Sequence, residues 1–591
     1  QVGSKHLVSS PAGPFPFTSA KTMVIHKSPF PPVTFPKDVT LTEYIFAEVA
    51  TKSSTVAFVD GSTQEAVTCG ELWKRINRTA SGLQQLGVKK DDVVAIWSTN
   101  NVEYVVAFHG VILAGGIVTT LNPTYTSNEV AQQLDLSGAK YMVVLPSLAE
   151  KMIEVQKLYG ALREVLLFGG EAAGGFKTLR SVESASEPAK VPCVPSEDVC
   201  VLPFSSGTTG LPKGVMLTHT NIVCNIAQCT ASDSRMVDIS SKDVLLAVLP
   251  FYHIYGMVIL MNIPLKLGAK VVTLAKFEPV PYMNILKEHK VSIAFVAPPI
   301  VQFLAKAPSV EEYLPLPDLR VLFCAAAPLG EALSEAVLQR IGTHVCVRQG
   351  YGMTELSPVA HCESPDRKPT LGSVGQLIPN MECKLVDPET GKEQGAGASS
   401  DRGELWVRGP NVMKGYFNNK EATDQTIDAD GWLHTGDIAY VDANDTFFIV
   451  DRLKELIKTK GFQVAPAELE AVLVKHPEVA DAAVIGVPAE RYGGREGDGE
   501  LAKAFIIRME DSQVTQEEIA EWFRPLVAAY KAVRPNCIEF VDSLPKVPSG
   551  KILRKDLRAR EEQSLAAANA SPSVLSAFPF NLFACCAQRQ A

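Results

Sequence analysis

The sequence predicts a layered α/β protein with a mostly parallel sheet, followed by a run of closely spaced strands and a smaller α+β unit. Three observations predict this. Short apolar runs alternate with amphipathic helical stretches over roughly the first 320 residues, the signature of strand–helix layering. After Gln376 the texture changes to strands separated by Gly or Asn turns. From Arg452 onward, two helices and three strands read as a compact unit of their own.

In order, residues 71–86 carry helical spacing, 93–96 read as a short buried strand, 101–113 as a second helix and 117–120 as a strand again. Apolar runs at 141–145, 165–168, 270–274, 292–296 and 321–324 extend the same alternation. The later strands are expected at 383–387, 403–408, 438–442 and 446–450. The final unit is expected to hold helices at 466–475 and 516–530 and strands at 482–486, 502–508 and 537–540. The Pro/Ser/Lys-rich stretch 1–35 reads as a flexible or draped arm, and the Ala/Ser-rich stretch 561–591 as a loose tail. The expected division is 1–35, 36–451, 452–560 and 561–591.

The chain has 591 residues, 46% hydrophobic and 20% charged, which supplies a large core and excludes a disordered protein. A formal net charge of -9 gives no overall basic field, so nucleic acid is not an expected partner. The twelve cysteines include no C-x-x-C pair and read as reduced thiols in a cytoplasmic setting. Residues 244–265 contain no Asp, Glu, Lys or Arg, but Pro250, Tyr252, His253, Tyr255, Asn262 and Pro264 interrupt them. They read as buried core with polar groups facing a cavity rather than as a transmembrane span. No apolar signal segment is read in residues 1–17.

Chemistry concentrates in a few strings. Ser205-Ser206-Gly207-Thr208-Thr209-Gly210-Leu211-Pro212-Lys213-Gly214 offers hydroxyl and backbone donors and one ammonium, either an anion-binding loop or a solvated turn. It does not match the P-loop pattern. Gln349-Gly350-Tyr351-Gly352-Met353-Thr354-Glu355 follows an expected strand at 345–347. Its glycines permit close approach of a ligand, Tyr351 a stacking face, and Glu355 a hard oxygen ligand for Mg²⁺; the bland reading is a tight turn. Asp437, in Thr435-Gly436-Asp437, is either a ribose-binding carboxylate or a turn aspartate. Arg452, Lys454, Lys458 and Lys460 make the junction basic, as a solvated face or as a guide for polyphosphate. Lys551, in Pro548-Ser549-Gly550-Lys551, is either a solvated lysine on a loop tip or an ammonium that a stiff loop delivers to a reacting anion. His253, beside Tyr255, is either a satisfied core histidine or a cavity wall.

Taken together these strings resemble the adenylate-forming superfamily of acyl-CoA synthetases, luciferases and peptide-synthetase adenylation domains. Within it, Gln349-Gly350-Tyr351-Gly352-Met353-Thr354-Glu355, Lys454-Glu455-Leu456-Ile457-Lys458 and Gly461-Phe462-Gln463-Val464-Ala465-Pro466 are similar to plant 4-coumarate–CoA ligases and their ligase-like cousins. The resemblance covers roughly residues 40–558. It implies a large N-terminal domain of layered sheets plus a small β-barrel, and a smaller, mobile C-terminal domain. It also implies ATP, Mg²⁺ and coenzyme A as cofactors and a carboxylic acid as substrate.

By resemblance, Ser205, Ser206, Gly207, Thr208, Thr209, Gly210 and Lys213 bind phosphates, and Gln349, Gly350, Tyr351, Gly352, Met353 and Thr354 the nucleotide. Asp437 and Arg452 hold the ribose and Glu355 the Mg²⁺. Lys551 catalyses adenylation, and a hinge at Lys454 exchanges it for Lys458, Lys460, Gly461 and Gln463 in the thioester step. Lys276 meets coenzyme A. His253, Tyr255, Ile259, Ala327, Gly350, Pro358 and Val359 line the acid pocket, and His253 also stands among the catalytic candidates.

One departure stands out. Gly403-Glu404-Leu405-Trp406-Val407-Arg408-Gly409 replaces Gly-Glu-Ile-Cys-Ile-Arg-Gly of 4-coumarate–CoA ligases. With Ile259, it points toward the ligase-like branch and fatty or jasmonate-precursor acids as the alternative to hydroxycinnamates. Those cousins often end in a peroxisomal address, and Gln588-Arg589-Gln590-Ala591 is not one. A non-catalytic acyl or nucleotide sensor is the reading from another class.

Overall fold

The computed structural model describes residues 24–205, 212–233, 236–394, 402–459, 462–495, 499–547 and 550–570. The chain divides into two compact units. One holds the residues up to Leu456 together with Gly550 and Lys551; the other holds Ile457–Val547 and the chain from Ile552.

In the large unit, the predicted alternation produces two nine-stranded sheets among the described residues. The first is centred on parallel strands Val93–Trp97, Ile117–Leu121, Tyr141–Val144 and Glu164–Leu167. Its antiparallel edge contains Lys213–Thr218. The second runs parallel through Val244–Ala247, Ile293–Val296, Val321–Cys324 and Cys346–Gly352. Such strands are buried on both faces, which is why they read as unbroken apolar runs. The helix Cys69–Gln85 starts at a Thr68/Glu71 capping box, and Asn101 caps Val102–Leu113. A six-stranded antiparallel sheet follows, including Glu382–Val386, Gly403–Arg408, Leu433–Val441 and Phe447–Arg452. It is the half-barrel that accompanies the two larger sheets.

The small unit builds its core on the hairpin Val479–Pro488/Glu500–Arg508, the parallel strand Ile538–Phe540 and helices Pro466–Leu473 and Gln516–Phe523.

Three local expectations are corrected. The helix expected over 516–530 stops at Phe523 because Pro525 cannot continue it; short 3₁₀ turns Arg524–Leu526 and Ala529–Lys531 follow. The tail expected to be loose from 561 begins as part of helix Arg554–Ala570. There Glu561, 4% exposed, accepts from Tyr492 and Lys503, tying the helix to the sheet. The N-terminal arm, expected to be flexible or draped, is draped where it is described. His26–Lys27 pairs with Cys383 and Glu382, and the Asn380 side chain bonds the Val33 backbone in both directions. Gln349 to Gly352 lie within a strand rather than a turn, because they pair antiparallel with Val359–Cys362.

The uncharged stretch 244–265 is a strand, a loop, a π-helical segment Gly256–Asn262 and a helix Ile263–Leu267, nearly all of it buried. Among the described residues no helix is long and apolar enough to cross a membrane.

Several histidines are enclosed in the large unit as neutral rings. Burial lowers His109 and His361 to about 3 and His219 to about 4. His219 Nδ1 accepts from the Leu41 backbone N–H at 3.0 Å, a bond that protonation at that nitrogen would remove. The unfolded chain binds protons at these groups from about pH 6.5 downward and the folded chain does not. Stability therefore falls as pH drops from 6.5 towards 3–4, by up to about 1.4 kcal/mol per pH unit for each such histidine. The denaturant midpoint should be lower at pH 5 than at pH 7; a flat profile would contradict this.

Candidate active site

Two side-chain clusters form beyond the end of the second parallel sheet, one with the half-barrel and one with the antiparallel edge of the first sheet. In the first, Tyr351, at the end of Cys346–Gly352, donates from Oη to Asp437 Oδ2 at 2.6 Å. Arg452 Nε lies 3.2 Å from Asp437 Oδ1. Asp437 and Arg452 are cross-strand partners, so sheet register sets the pair. The Asp437 charge raises the Arg452 pKa further against its burial, and burial followed by that same charge pushes the Tyr351 phenol well up. The result is a carboxylate held by a phenol and a guanidinium at fixed geometry.

In the second cluster, Glu355, 5% exposed in the turn Thr354–Leu356, accepts from Tyr416 Oη at 2.8 Å. Lys213 Nζ lies 4.9 Å from the Tyr416 ring centroid. A carboxylate and an ammonium thus flank one aromatic ring. Glycine is required nearby: a Cβ on Gly352 would lie 2.1 Å from the Pro358 carbonyl oxygen, and one on Gly350 would meet the Phe323 ring at 3.0 Å.

Gly550 is left-handed, with φ +83°, and a Cβ there would meet Pro299 Cδ at 2.5 Å. Lys551 follows it. Burial, then the Lys551 charge, brings His253 down to about 4, so His253 is a neutral ring that accepts from the Tyr255 N–H at 3.3 Å. Tyr255 and Ile259 are buried, at 8% and 2% exposure, and Pro358 directly precedes the strand Val359–Cys362.

Two family models match this chain: AMP-binding enzyme over residues 45–417, and AMP-binding enzyme C-terminal domain over residues 468–551. The chain belongs to the AMP-binding enzyme family. Its relatives include 4-coumarate–CoA ligase 3 of Oryza sativa subsp. japonica, 42% identical over 92% of this chain and 96% of that protein. Another is 4-coumarate–CoA ligase 1 of Petroselinum crispum, 39% identical over 91% and 97%. Among solved structures, the anthranilate CoA ligase AuaEII in complex with anthranoyl-AMP aligns with TM-score 0.81 and 25% identity, over 90% of this chain and 99% of that one. ATP-bound MatB from Rhodopseudomonas palustris aligns with TM-score 0.78 and 27% identity, over 89% and 99%.

The remaining sequence-predicted candidates lie as follows. Ser206, Gly207, Thr208, Thr209, Gly210, Lys460 and Gly461 lie outside the described residues. Ser205 pairs with Lys213 across a short antiparallel ladder, at the two ends of that loop. The Gln349 side chain is engaged with the Leu329 backbone, accepting from its N–H at 3.0 Å and donating to its carbonyl at 3.3 Å. It thereby holds the segment that carries Ala327. Met353 accepts a backbone bond into the same turn as Thr354 and Glu355. Lys276 is exposed and paired with Glu278 at 2.8 Å. Lys454 lies in the turn Leu453–Glu455 of the large unit. Lys458 and Gln463 face each other across the hairpin Ile457–Thr459/Phe462–Val464 of the small unit.

Sequence reasoning missed a set of buried amides. On helix His219–Thr230, Asn221, Asn225 and Gln228 project to one side. Asn221 Nδ2 donates to the carbonyls of Pro410 and Val412, both at 2.9 Å. Asn225 donates to the Val359 carbonyl at 2.9 Å and accepts from its N–H at 3.2 Å. Asn411 donates to the carbonyls of Leu356 at 2.8 Å and Val359 at 3.1 Å. These amides fix the backbone on either side of Ser357, which has φ +69°, and hence the place of Glu355. The available signal was amide side chains at helical spacing among the apolar residues of one helix.

Proposed function

We propose that this protein is an ATP-dependent carboxylic acid–CoA ligase that forms an acyl-adenylate with release of pyrophosphate, then a thioester with release of AMP. The observation that carries this reading is the Tyr351–Asp437–Arg452 cluster beside Glu355, Tyr416 and Lys213, in a chain similar to 4-coumarate–CoA ligases over nearly its whole length. Asp437 is the acceptor for the ribose hydroxyls, with Arg452 at its side and Tyr351 against the base. Lys213 and the loop from Ser205 take the phosphates.

Among the described residues no group of three His, Cys, Asp or Glu side chains could hold a metal ion alone. A single enclosed carboxylate fits Mg²⁺, which takes most of its oxygens from substrate phosphates and water. Glu355 is that ligand, and bound Mg²⁺ would neutralise phosphate charge during the first step.

The first step joins two anions, so it needs a cation where the bond forms. Lys551 supplies it. The carboxylate oxygen attacks the α-phosphorus as the bond to pyrophosphate breaks. In the second step the coenzyme A sulfur attacks the acyl carbon and AMP leaves. Lys551 must withdraw for this, and the small unit, turning at Lys454, presents Lys458, Lys460, Gly461 and Gln463 instead. Lys276 meets coenzyme A. The ten free cysteines among the described residues support a reducing, cytoplasmic setting for this chemistry.

His253, Tyr255, Ile259, Ala327, Gly350, Pro358 and Val359 form the acid pocket, and the relatives favour a hydroxycinnamate. Ile259, an apolar side chain buried to 2% exposure, favours a fatty or jasmonate-precursor acid as the second reading. Pyrophosphate and coenzyme A-dependent AMP release, measured over hydroxycinnamates and C6–C18 acids, should single out one class. Release with no acid in either class would overturn the proposal. Lys458→Ala should slow thioester formation while sparing pyrophosphate release, as stopped-time assays of each half-reaction would show; a selective adenylation defect would refute the assignment of Lys458.

A further inference from the structure

Asp437 is presented by a bulge, and the residues that hold the bulge lie on the neighbouring strand. Glu404 pairs with Ile438 and Trp406 with His434, so Leu405 alone faces three residues, Thr435, Gly436 and Asp437. Extra residues in a bulge lose their ladder partners and need other ones. Thr435 donates from its hydroxyl to the Leu405 carbonyl at 2.7 Å. The same hydroxyl accepts from the Asp437 N–H at 3.1 Å. Gly436, with φ +70°, donates its N–H to Glu404 Oε1 at 3.0 Å.

The second Glu404 oxygen accepts from Trp406 Nε1 at 2.9 Å, and the Trp406 ring stacks on His434 with centroids 3.6 Å apart and planes 12° apart. Trp406 therefore grips both the residue that opens the bulge and the carboxylate that closes it. This is the position where the sequence departs from the 4-coumarate–CoA ligase string. A cysteine there has neither an indole N–H nor a ring to stack.

We infer that Glu404 and Trp406 are positioning residues for nucleotide binding, acting through the Gly436 N–H to aim the Asp437 carboxylate at the ribose diol. The inference rests on the reading of Asp437 as the ribose acceptor. Trp406→Phe keeps a ring over His434 and deletes the indole donor, so Glu404 loses its second anchor. It should raise KM for ATP about fivefold in ATP–pyrophosphate exchange, leaving kcat and the KM for the acid near wild type. With 2′,3′-dideoxy-ATP the variant and wild type should be alike, because the group that Asp437 addresses is gone. Glu404→Gln retains an acceptor for Gly436 and should recover most of the ATP affinity lost in Glu404→Ala. The ATP-induced rise in melting temperature, measured without acid, reads the same loss independently of turnover.

An equal change for ATP and the dideoxy analogue, a parallel change in the acid KM, or a lower melting temperature with unchanged KM would overturn the inference and leave the ribose reading standing. Asp437→Asn serves as the reference. If it too changes the KM for ATP and for the dideoxy analogue by equal factors, the ribose reading falls and the inference with it.

Discussion

Lys551→Ala should lower acyl-adenylate formation from ATP and free acid by about 10²–10³-fold, and leave thioester formation from supplied acyl-adenylate close to wild type. The size follows from the chemistry. A carboxylate approaching a polyphosphate meets repulsion that only a fixed cation can offset, and an enclosed site magnifies the benefit. The structure bears on both conditions. Gly550 sits against Pro299 where a side chain would not fit, so the backbone that carries Lys551 approaches closely. The Lys551 charge is felt at His253, which burial keeps neutral. His253 therefore adds no second cation there at physiological pH. Separate assays of pyrophosphate exchange and of coenzyme A-dependent thioester release check the prediction; equal loss in both would contradict a lysine that serves only the first step.

Asn411→Ala should destabilise the large unit by about 2–5 kcal/mol and weaken the ATP-dependent step along with it. The variant strands the Leu356 carbonyl and removes one of two donors from the Val359 carbonyl, both within the core. A buried polar group left without its partner costs about 1–3 kcal/mol, and the side chain also leaves a void. Since Asn411 brackets the turn that holds Glu355, the damage reaches the carboxylate proposed to hold Mg²⁺. Chemical unfolding and ATP–pyrophosphate exchange on the same sample check both halves; a fully stable variant would show that the surrounding amides compensate.

Much of the fold was legible because parallel strands announce themselves as unbroken apolar runs. Residues 93–96, 117–120, 141–145 and 321–324 were read to within a residue or so of Val93–Trp97, Ile117–Leu121, Tyr141–Val144 and Val321–Cys324. The candidate site was partly legible where rare residue types stand in compact strings: Tyr351, Asp437 and Arg452 are named separately in the sequence, and Tyr351 and Arg452 each contact Asp437. Contacts made between segments were not legible. No local pattern says that Gln349 spends its amide on Leu329, or that Asn225 and Asn411 meet at one carbonyl. The bulge at Thr435–Asp437 depends on register with a distant strand, and Gly403-Glu404-Leu405-Trp406 alone does not encode it. Pro525 is the opposite case, a local stop signal that lies inside the helix expected over 516–530.

The state of the thiols bears on how a ligase of this kind protects itself. A mixed anhydride of acid and AMP acylates whatever nucleophile it meets first, and a thiolate is among the quickest. Within the described part of the chain, Cys200, Cys224, Cys229, Cys324, Cys362 and Cys383 are buried, and the loss of hydration keeps each sulfur protonated far above neutral pH. Cys324 ends a strand that leads towards the site, yet it is shut inside the sheet. These six sulfurs offer the activated acyl group no competing acceptor, which leaves it to the incoming carrier as far as they are concerned.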